Sequence, residues 1–325
     1  MRSANLTCST LLILVMSAVS ASITTAQTSN AANPVPPPLG KLIDVGGYRV
    51  HLYCTGTGGP PVIIAGNGYS FDWGLIQPEV AKFTEVCAYD HSGIGWSDSG
   101  PADSCGLRVH EIHTALRNAG VKGPYVLVGY SLGALVVRLY ATQYLDEVAG
   151  VVFVDHAVLA HLPPRHPLAV APSPSLKSDK PAPVLIGMDD DPNFKKLPPD
   201  DQNFHLWAAS QSKDQAALQG NMRMMPQCTA DADAVVKNQP NPLRNRPLVD
   251  ISTDLGEKMP PYAKLQSQLL SLSNDSKQIV AKNSGHFVIL DRPDVVVDGI
   301  RQVVDAVRTK GKLSGSTAAL DHGLQ

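Results

Sequence analysis

The sequence feature that most constrains this chain is residues 125–134, Tyr-Val-Leu-Val-Gly-Tyr-Ser-Leu-Gly-Ala. The first four residues form an apolar run of the length expected for a strand buried on both faces, and a helix-compatible run begins at Ala134. Between the two runs, Gly129 and Gly133 would allow a strand-to-helix turn that is too tight for a side chain at either position. A turn of this kind exposes the hydroxyl of Ser131, which we therefore predict to be a nucleophile.

The same turn indicates where a negatively charged reaction intermediate would be stabilised. It would place the N–H of Leu132 at the N-terminus of a helix, where the partial positive charge favours an oxyanion. A second N–H should come from the glycine loop that follows the apolar run 61–65, and we predict that Asn67 supplies it. This loop could instead be a plain turn or half of a phosphate loop. No lysine follows at P-loop spacing and no G-x-G-x-x-G is complete, so a nucleotide site is not favoured.

A serine nucleophile needs a general base and a group that orients the base. His286 is our prediction for the base, because it follows the last predicted strand in the turn Asn-Ser-Gly-His. Asp155 ends the apolar strand that comes after the serine helix, and we predict that it orients the histidine. Asp254, which follows a later strand-like run, is the alternative acid, and Asp250 and Glu257 are less favoured.

Short apolar strands alternate with helical patterns along residues 41–155 and again along 247–309. This alternation predicts one α/β core, in which helices cover both faces of a mostly parallel sheet. In such sheets, functional groups lie on loops at the carboxyl ends of the strands. The predicted site agrees with this rule, since its residues fall just after predicted strands: Asn67, Ser131, Asp155 and His286.

Residues 156–246 differ in character from the predicted core. They contain many prolines and scattered Met and Trp residues, and they show no clear strand alternation. We predict that they form a mainly helical insertion that folds over the site as a cap. The last segment, 310–325, is rich in Gly and Ser and is predicted to be a flexible tail.

The N-terminal segment 1–26 has the pattern of an export signal. Arg2 precedes a short apolar stretch, and small residues follow that offer cleavage sites. The apolar stretch is too short to be a good membrane span. Residues 27–40 are rich in Asn, Ala and Pro, which is typical of a linker. These features predict a secreted or periplasmic protein.

Export changes the interpretation of the cysteines. Four follow the predicted signal, Cys54, Cys87, Cys105 and Cys228, and an oxidising compartment would permit two disulfides with three possible pairings. No C-x-x-C or Cys/His cluster suggests zinc, so we expect no metal site. A formal net charge of −2 provides no basic surface, so nucleic acid is not an expected partner.

Taken together, five segments resemble the α/β-hydrolase superfamily: residues 66–73, 86–98, 125–134, 152–156 and 284–293. The chain is most similar to exported, cap-bearing serine hydrolases of the esterase or hydrolase-or-acyltransferase kind. The resemblance implies an eight-stranded, mostly parallel sheet with helices on both faces and a helical cap insertion. It also implies a small-molecule ester substrate and no cofactor.

The resemblance carries further implications. It places the second strand beside the fourth, which would bring Cys54 near Cys87 and leave Cys105 to pair with Cys228. Many members place the acid in a Gly-x-x-Asp loop after the seventh strand, where this chain has Ser-Thr-Asp-Leu-Gly. That departure is a second reason to prefer Asp155. A serine nucleophile also argues against dehalogenase or epoxide-hydrolase chemistry, in which a carboxylate forms an alkyl-enzyme ester.

The functional hypothesis is therefore a serine hydrolase that cleaves carboxylic esters through an acyl-enzyme. Residues beside the predicted catalytic loops are expected to line the substrate pocket: Tyr69, Phe71, Tyr130 and His156. An acyltransferase would use the same triad with a different acceptor. A proline-releasing aminopeptidase would need an acidic group for the substrate amine, which the run Asp189-Asp190-Asp191 could supply.

Overall fold

The computed structural model describes residues 35–156, 187–254 and 260–313. The predicted signal 1–26, most of the linker 27–40, the last part of the tail and Glu257 lie outside these residues. In the described part of the chain, one sheet contains eight strands, namely β1 (Lys41–Asp44), β2 (Arg49–Thr55), β3 (Val62–Ala65), β4 (Val86–Asp90), β5 (Tyr125–Tyr130), β6 (Val148–Val154), β7 (Leu248–Thr253) and β8 (Ser276–Ala281).

The strand order is β1-β2-β4-β3-β5-β6-β7-β8. The pairs β1–β2 and β2–β4 are antiparallel, and every other neighbouring pair is parallel. The α helices are α1 (Gln77–Ala81), α2 (Cys105–Ala119), α3 (Leu132–Gln143), α4 (Pro199–Ala209), α5 (Ser212–Asn238), α6 (Pro260–Leu270), α7 (Val288–Asp291) and α8 (Pro293–Thr309). The sheet and its helices confirm the predicted fold class.

Buried apolar clusters cover the two faces of the sheet. On one face, α2, α3 and α6 pack on the strands, and residues of α5 join the same cluster. On the other face, α1, α7 and α8 pack on the alternate side chains of the parallel strands. Strands buried on both faces read as continuous apolar runs, which is why β3 and β5 were recognisable in the sequence.

The spacing of apolar residues predicts a helix over 105–119, and α2 covers these residues, with a cap at each end. The Oγ of Ser104 accepts a hydrogen bond from the N–H of Leu107, and Gly120 ends the helix in the left-handed region at φ 76°. The sequence also predicts one helix over 73–83, and there the structure differs. A 3-10 helix covers Ser70–Trp73 and α1 begins only at Gln77, since Pro78 fits the first turn of a helix but not its interior.

Two disulfides are formed. Cys54 and Cys87 lie directly opposite each other on the antiparallel strands β2 and β4, with a Cα–Cα distance of 4.0 Å. Cys105 at the start of α2 is joined to Cys228 in α5, with a Cα–Cα distance of 5.6 Å. The second bond fixes a helix of the core to the long helix that lies between β6 and β7 in the chain. No helix of the described residues is long and apolar enough to cross a bilayer.

Candidate active site

Ser131 stands in the sharp turn between β5 and α3. Its φ of 54° and ψ of −121° are strained values for a residue with a side chain, as a tight strand-to-helix turn requires. The flanking glycines have no room for side chains: a Cβ on Gly129 would lie 2.6 Å from the Cα of Ala134, and one on Gly133 would lie 1.8 Å from the carbonyl oxygen of Ala65. The G-x-S-x-G pattern is therefore explained by the close approach of three backbone segments.

His286 follows β8, and its ring meets the carboxylate of Asp155 at the end of β6. The distance from Nδ1 of His286 to Oδ2 of Asp155 is 2.5 Å. Asp155 is nearly buried, with 9% of its side chain exposed, whereas the side chain of His286 is 47% exposed. A carboxylate that accepts from Nδ1–H fixes the tautomer and leaves the lone pair of Nε2 available as a base.

The histidine loop is held to the serine turn on one side and to the following helix α7 on the other. The hydroxyl of Tyr130, the residue before Ser131, donates to the carbonyl oxygen of His286 at 2.9 Å, and the two rings stack with centroids 5.4 Å apart. On the far side, Oδ2 of Asp291 accepts from the N–H of Gly285 at 2.8 Å. Burial, and then the charge of Asp155, raises the pKa of Tyr130 well above its ordinary value, so its hydroxyl stays a donor.

The other predicted acids occupy different positions. Asp254 follows β7, but the Nδ1 of His286 faces Asp155 instead. Asp250 lies within β7, fully buried, and neither of its carboxylate oxygens has a hydrogen-bond partner. Burial, with a smaller contribution from the charge of Asp155, raises the pKa of Asp250 to about 8. Asp250 is therefore mostly neutral at pH 7, which is the wrong state for a group that stabilises an imidazolium.

Asn67 lies in the loop between β3 and the 3-10 helix, and Leu132 is the first residue of α3. The N–H of a first helical residue has no acceptor within its own helix. The glycine after Leu132 packs directly on Ala65 and Gly66, so the serine turn and the Asn67 loop are in contact. The structure thus brings the two predicted oxyanion donors to adjoining segments.

A model of the alpha/beta hydrolase family matches residues 54–299, about three quarters of the chain. The chain belongs to the alpha/beta hydrolase family. A relative from Schizosaccharomyces pombe, an uncharacterized protein, is 40% identical over 89 residues, which are 27% of this chain and 16% of that protein. A second, the uncharacterized protein YqjL of Bacillus subtilis, is 25% identical over 266 residues, covering 79% of this chain and 88% of its own. The chain thus spans only a sixth of the first relative and most of the second.

Solved structures resemble this alpha/beta hydrolase along most of its length. A putative acyltransferase from Salmonella enterica has a TM-score of 0.63 at 18% identity, covering 85% of this chain and 98% of its own. A serine hydrolase involved in carbazole degradation has a TM-score of 0.59 at 14% identity, with coverages of 82% and 98%. The Cif epoxide hydrolase from Acinetobacter nosocomialis has a TM-score of 0.62 at 15% identity, with coverages of 81% and 88%. At these identities the likeness shows the fold alone.

The residues predicted to line the pocket of this hydrolase are almost completely buried. Tyr69 and Phe71 stack with centroids 4.8 Å apart, and Phe71 packs against Trp96 and against Phe204 of α4. His156 is 1% exposed and meets the ring edge of a neighbouring phenylalanine. Tyr130 contacts His286 directly, as described above. Tyr130 therefore contacts the proposed base, whereas Tyr69 and Phe71 belong to an aromatic cluster with α4.

A second Ser-His-Asp cluster lies beside β2 and β4, and no sequence pattern predicted it. Nδ1 of His51 is 2.7 Å from Oδ2 of Asp90, and the hydroxyl of Ser70 donates to that same oxygen at 3.0 Å. The Nε2 of His51 accepts from the N–H of Gly40 at 2.8 Å, so its lone pair is already used. All three side chains are buried. This cluster joins β2, β4 and the 3-10 helix and has no free base.

Residues 189–191 carry the acidic run that a proline-releasing aminopeptidase would need. Oδ2 of Asp190 accepts from the N–H of Gly187 at 3.3 Å, and Oδ1 of Asp191 accepts from the N–H of Asn193 at 2.7 Å. Each of these two carboxylates therefore stabilises the turn in which it lies. Among the described residues, no group of three or more His, Cys, Asp or Glu side chains is placed to hold a metal ion.

Proposed function

We propose that this alpha/beta hydrolase cleaves carboxylic esters through an acyl-enzyme on Ser131. The observation that carries the proposal is the 2.5 Å contact between Nδ1 of His286 and Asp155, beside a serine held in a strained turn. A serine hydroxyl becomes a useful nucleophile only when a base with a fixed tautomer removes its proton. A serine also favours acyl transfer over the alkyl-enzyme chemistry of carboxylate nucleophiles.

In the proposed reaction, Nε2 of His286 takes the proton of the Ser131 hydroxyl as Oγ attacks the ester carbonyl. The carbonyl oxygen becomes an oxyanion, which accepts hydrogen bonds from the N–H groups of Leu132 and Asn67. The tetrahedral intermediate expels the alcohol, which receives the proton from the imidazolium. Water then attacks the acyl-enzyme with the same base, releasing the carboxylic acid and restoring Ser131. Asp155 stabilises the imidazolium in both halves and remains ionised.

We further propose that the helices between β6 and β7 act as a cap and that the protein is exported. Contacts of α4 and α5 with the loops after β3 and β4 support the first point, since the loop after β3 packs against the serine turn. The sequence pattern of residues 1–26 and the two disulfides support the second.

The test is a series of chromogenic esters of increasing acyl length, assayed with the wild type, Ser131→Ala and Ser70→Ala. Ser70 is the matched control, because it is a buried serine that also contacts a His-Asp pair. We expect Ser131→Ala to lose at least about 10³-fold in kcat/KM and folded Ser70→Ala to keep most of its activity. Turnover by Ser131→Ala at the wild-type rate would refute the mechanism. Products in which an added alcohol replaces water would instead indicate an acyltransferase.

A further inference from the structure

The loop of residues 66–69 carries the Asn67 N–H that the proposed mechanism uses. Its two glycines, Gly66 and Gly68, have no side chains that could anchor the loop. Among the described residues, the N–H of Asn67 makes no hydrogen bond to the rest of the chain, so it is available to a substrate. The position of this donor must therefore be set by contacts that hold the loop from outside.

One such contact comes from α5, in the segment between β6 and β7. The Nδ2 of Asn221 donates to Oδ1 of Asn67 at 2.8 Å, although the two residues are 154 positions apart. Asn221 is 2% exposed. A buried amide that loses its partner is strongly disfavoured, so the contact should persist whenever α5 is docked on the core.

The amide of Asn221 has a fixed orientation. The guanidinium of Arg108 donates to its Oδ1, and because arginine has donors only, the Nδ2 of Asn221 must face Asn67. Arg108 is 2% exposed and is itself held by Asp103, with Nε 3.1 Å from Oδ1. Charge-assisted bonds of this kind are stronger than neutral ones. A directed chain of hydrogen bonds therefore runs from a helix of the core, through the cap, to Asn67.

The other side of the loop is held through Asp72. Its Oδ2 accepts from the N–H of Tyr69 at 2.9 Å, and it lies so close to Gly68 that a Cβ there would be 2.5 Å from it. The other oxygen of Asp72 is 2.7 Å from Nδ1 of His205 in α4. The helices α4 and α5, which belong to the described part of the proposed cap, thus fix the same four-residue loop from two sides.

We infer that Asn221 is a positioning residue for the reaction: it holds Asn67 where its N–H can meet the oxyanion. This inference rests on the proposed function, and it gives the cap a second task besides covering the substrate. Because Asn221 acts on the oxyanion loop and is not needed to bind the ester in the ground state, its loss should lower kcat far more than it raises KM.

The decisive variant is Asn221→Ala, which removes the bonds to both Arg108 and Asn67. Asn221→Asp is the second variant: it keeps an acceptor for Arg108, so α5 remains docked, but Asn67 can contact it only by turning its amide over so that its own Nδ2 donates. The matched control is Gln227→Ala, since the amide of Gln227 lies on the exposed side of α5 and donates only to Asp231 of the same helix. Each protein is assayed for ester kinetics, for affinity to a trifluoromethyl ketone that forms a tetrahedral adduct, and for thermal stability.

We expect both Asn221 variants to lose about 10- to 100-fold in kcat, less than the typical cost of deleting an oxyanion donor, with KM nearly unchanged. The affinity for the ketone should fall by the same factor, while Asn221→Asp and Gln227→Ala melt like the wild type. A purely structural role would lower the melting temperature and leave the kcat of the folded fraction intact.

A fluorophosphonate that labels serine nucleophiles separates the two proposals. If the wild type is labelled at Ser131 and both Asn221 variants match it in labelling rate, kcat and ketone affinity, the positioning role is wrong and the hydrolase remains. If the wild type is not labelled and hydrolyses no ester, the proposed hydrolase fails and the role of Asn221 fails with it.

Discussion

Asp250 offers a stability prediction whose size follows from its surroundings. It lies in the middle of β7, between Phe153 of β6 and Gln278 of β8, and it is fully buried with both oxygens unpartnered. Burial raises its pKa from 3.8 to about 8. A folded protein that holds its proton longer than the unfolded chain loses stability as pH rises between these two values. The variant Asp250→Asn cannot ionise in either state and escapes this loss.

The expected gain is the linkage free energy of one acid. With pKa values of 3.8 and about 8, the loss in the wild type is about 2 kcal/mol at pH 5, about 4 kcal/mol at pH 7 and about 6 kcal/mol above pH 9. The neutral carboxyl and the amide have nearly the same shape and a similar cost of burial. Asp250→Asn should therefore be more stable than the wild type at pH 7 by up to about 4 kcal/mol, and less so at pH 5.

The assay is urea unfolding of both proteins at pH 5, 6, 7 and 8, with the disulfides kept oxidised. Asp305→Asn, an exposed carboxyl on α8, is the control, and its curve should stay parallel to that of the wild type. The difference in unfolding free energy between Asp250→Asn and the wild type should grow as pH rises from 5 to 8. A difference that stays constant over this range would show that Asp250 ionises normally in the folded state, and would refute the prediction.

Two further predictions concern the proposed site and the proposed cap. Asp155→Asn should lower kcat for esters by about 10³- to 10⁴-fold with little change in KM, because an amide cannot stabilise the imidazolium; steady-state kinetics measures this. His205→Gln should lower the melting temperature more at about pH 5.5 than at about pH 8.5. Burial acts to lower the pKa of His205, but the charge and hydrogen bond of Asp72 outweigh it and raise the pKa above 6.5. The stabilising charge is therefore present at low pH and lost as pH rises through the raised pKa.

Each of these predictions has a matched control. Asp254→Asn removes the alternative acid and should keep near wild-type kinetics; the opposite ranking of the two variants would assign the acid to the loop after β7. For His205, the control is His113→Gln, which removes a less buried imidazole whose ion pair with Glu147 spans 3.3 Å. Equal melting differences at both pH values would show that the His205–Asp72 pair carries no charge in the folded protein.

The parts of the site that the sequence predicted are those encoded within a few residues. The G-x-S-x-G pattern between an apolar run and a helix fixes the serine turn, because the steric demand falls on the two glycines themselves. The placement of His286 after the last strand is similarly local. The fold class followed from the alternation of strands and helices, which the sheet order confirms.

The contacts that hold these groups in place could not be predicted from the sequence. Asn221 and His205 lie on helices, where a polar residue ordinarily faces solvent. No nearby sequence pattern indicates that they contact the segment after β3. The same is true of Asp291. In the sequence it looks like an ordinary acidic residue before a helix, and nothing there indicates that it accepts a hydrogen bond from the backbone of the histidine loop. Such pairings depend on how separate elements pack, which residue periodicity does not specify.

The neighbourhood of Asp155 explains why the carboxylate that meets His286 comes from the end of β6 and not from the end of β7. The N–H of Asp155 donates to the carbonyl oxygen of Ile251 at 2.8 Å, and its φ of 37° turns the side chain toward His286. Asp250 lies close enough to Asp155 for their charges to interact, so two ionised carboxylates there would repel. Burial keeps Asp250 neutral and leaves a single negative charge beside the imidazole. Ionising Asp250 above about pH 8 would add a second charge behind the first. Any alkaline change in ester kinetics should therefore occur near the pH at which the stability loss of the wild type levels off, and Asp250→Asn should remove both effects.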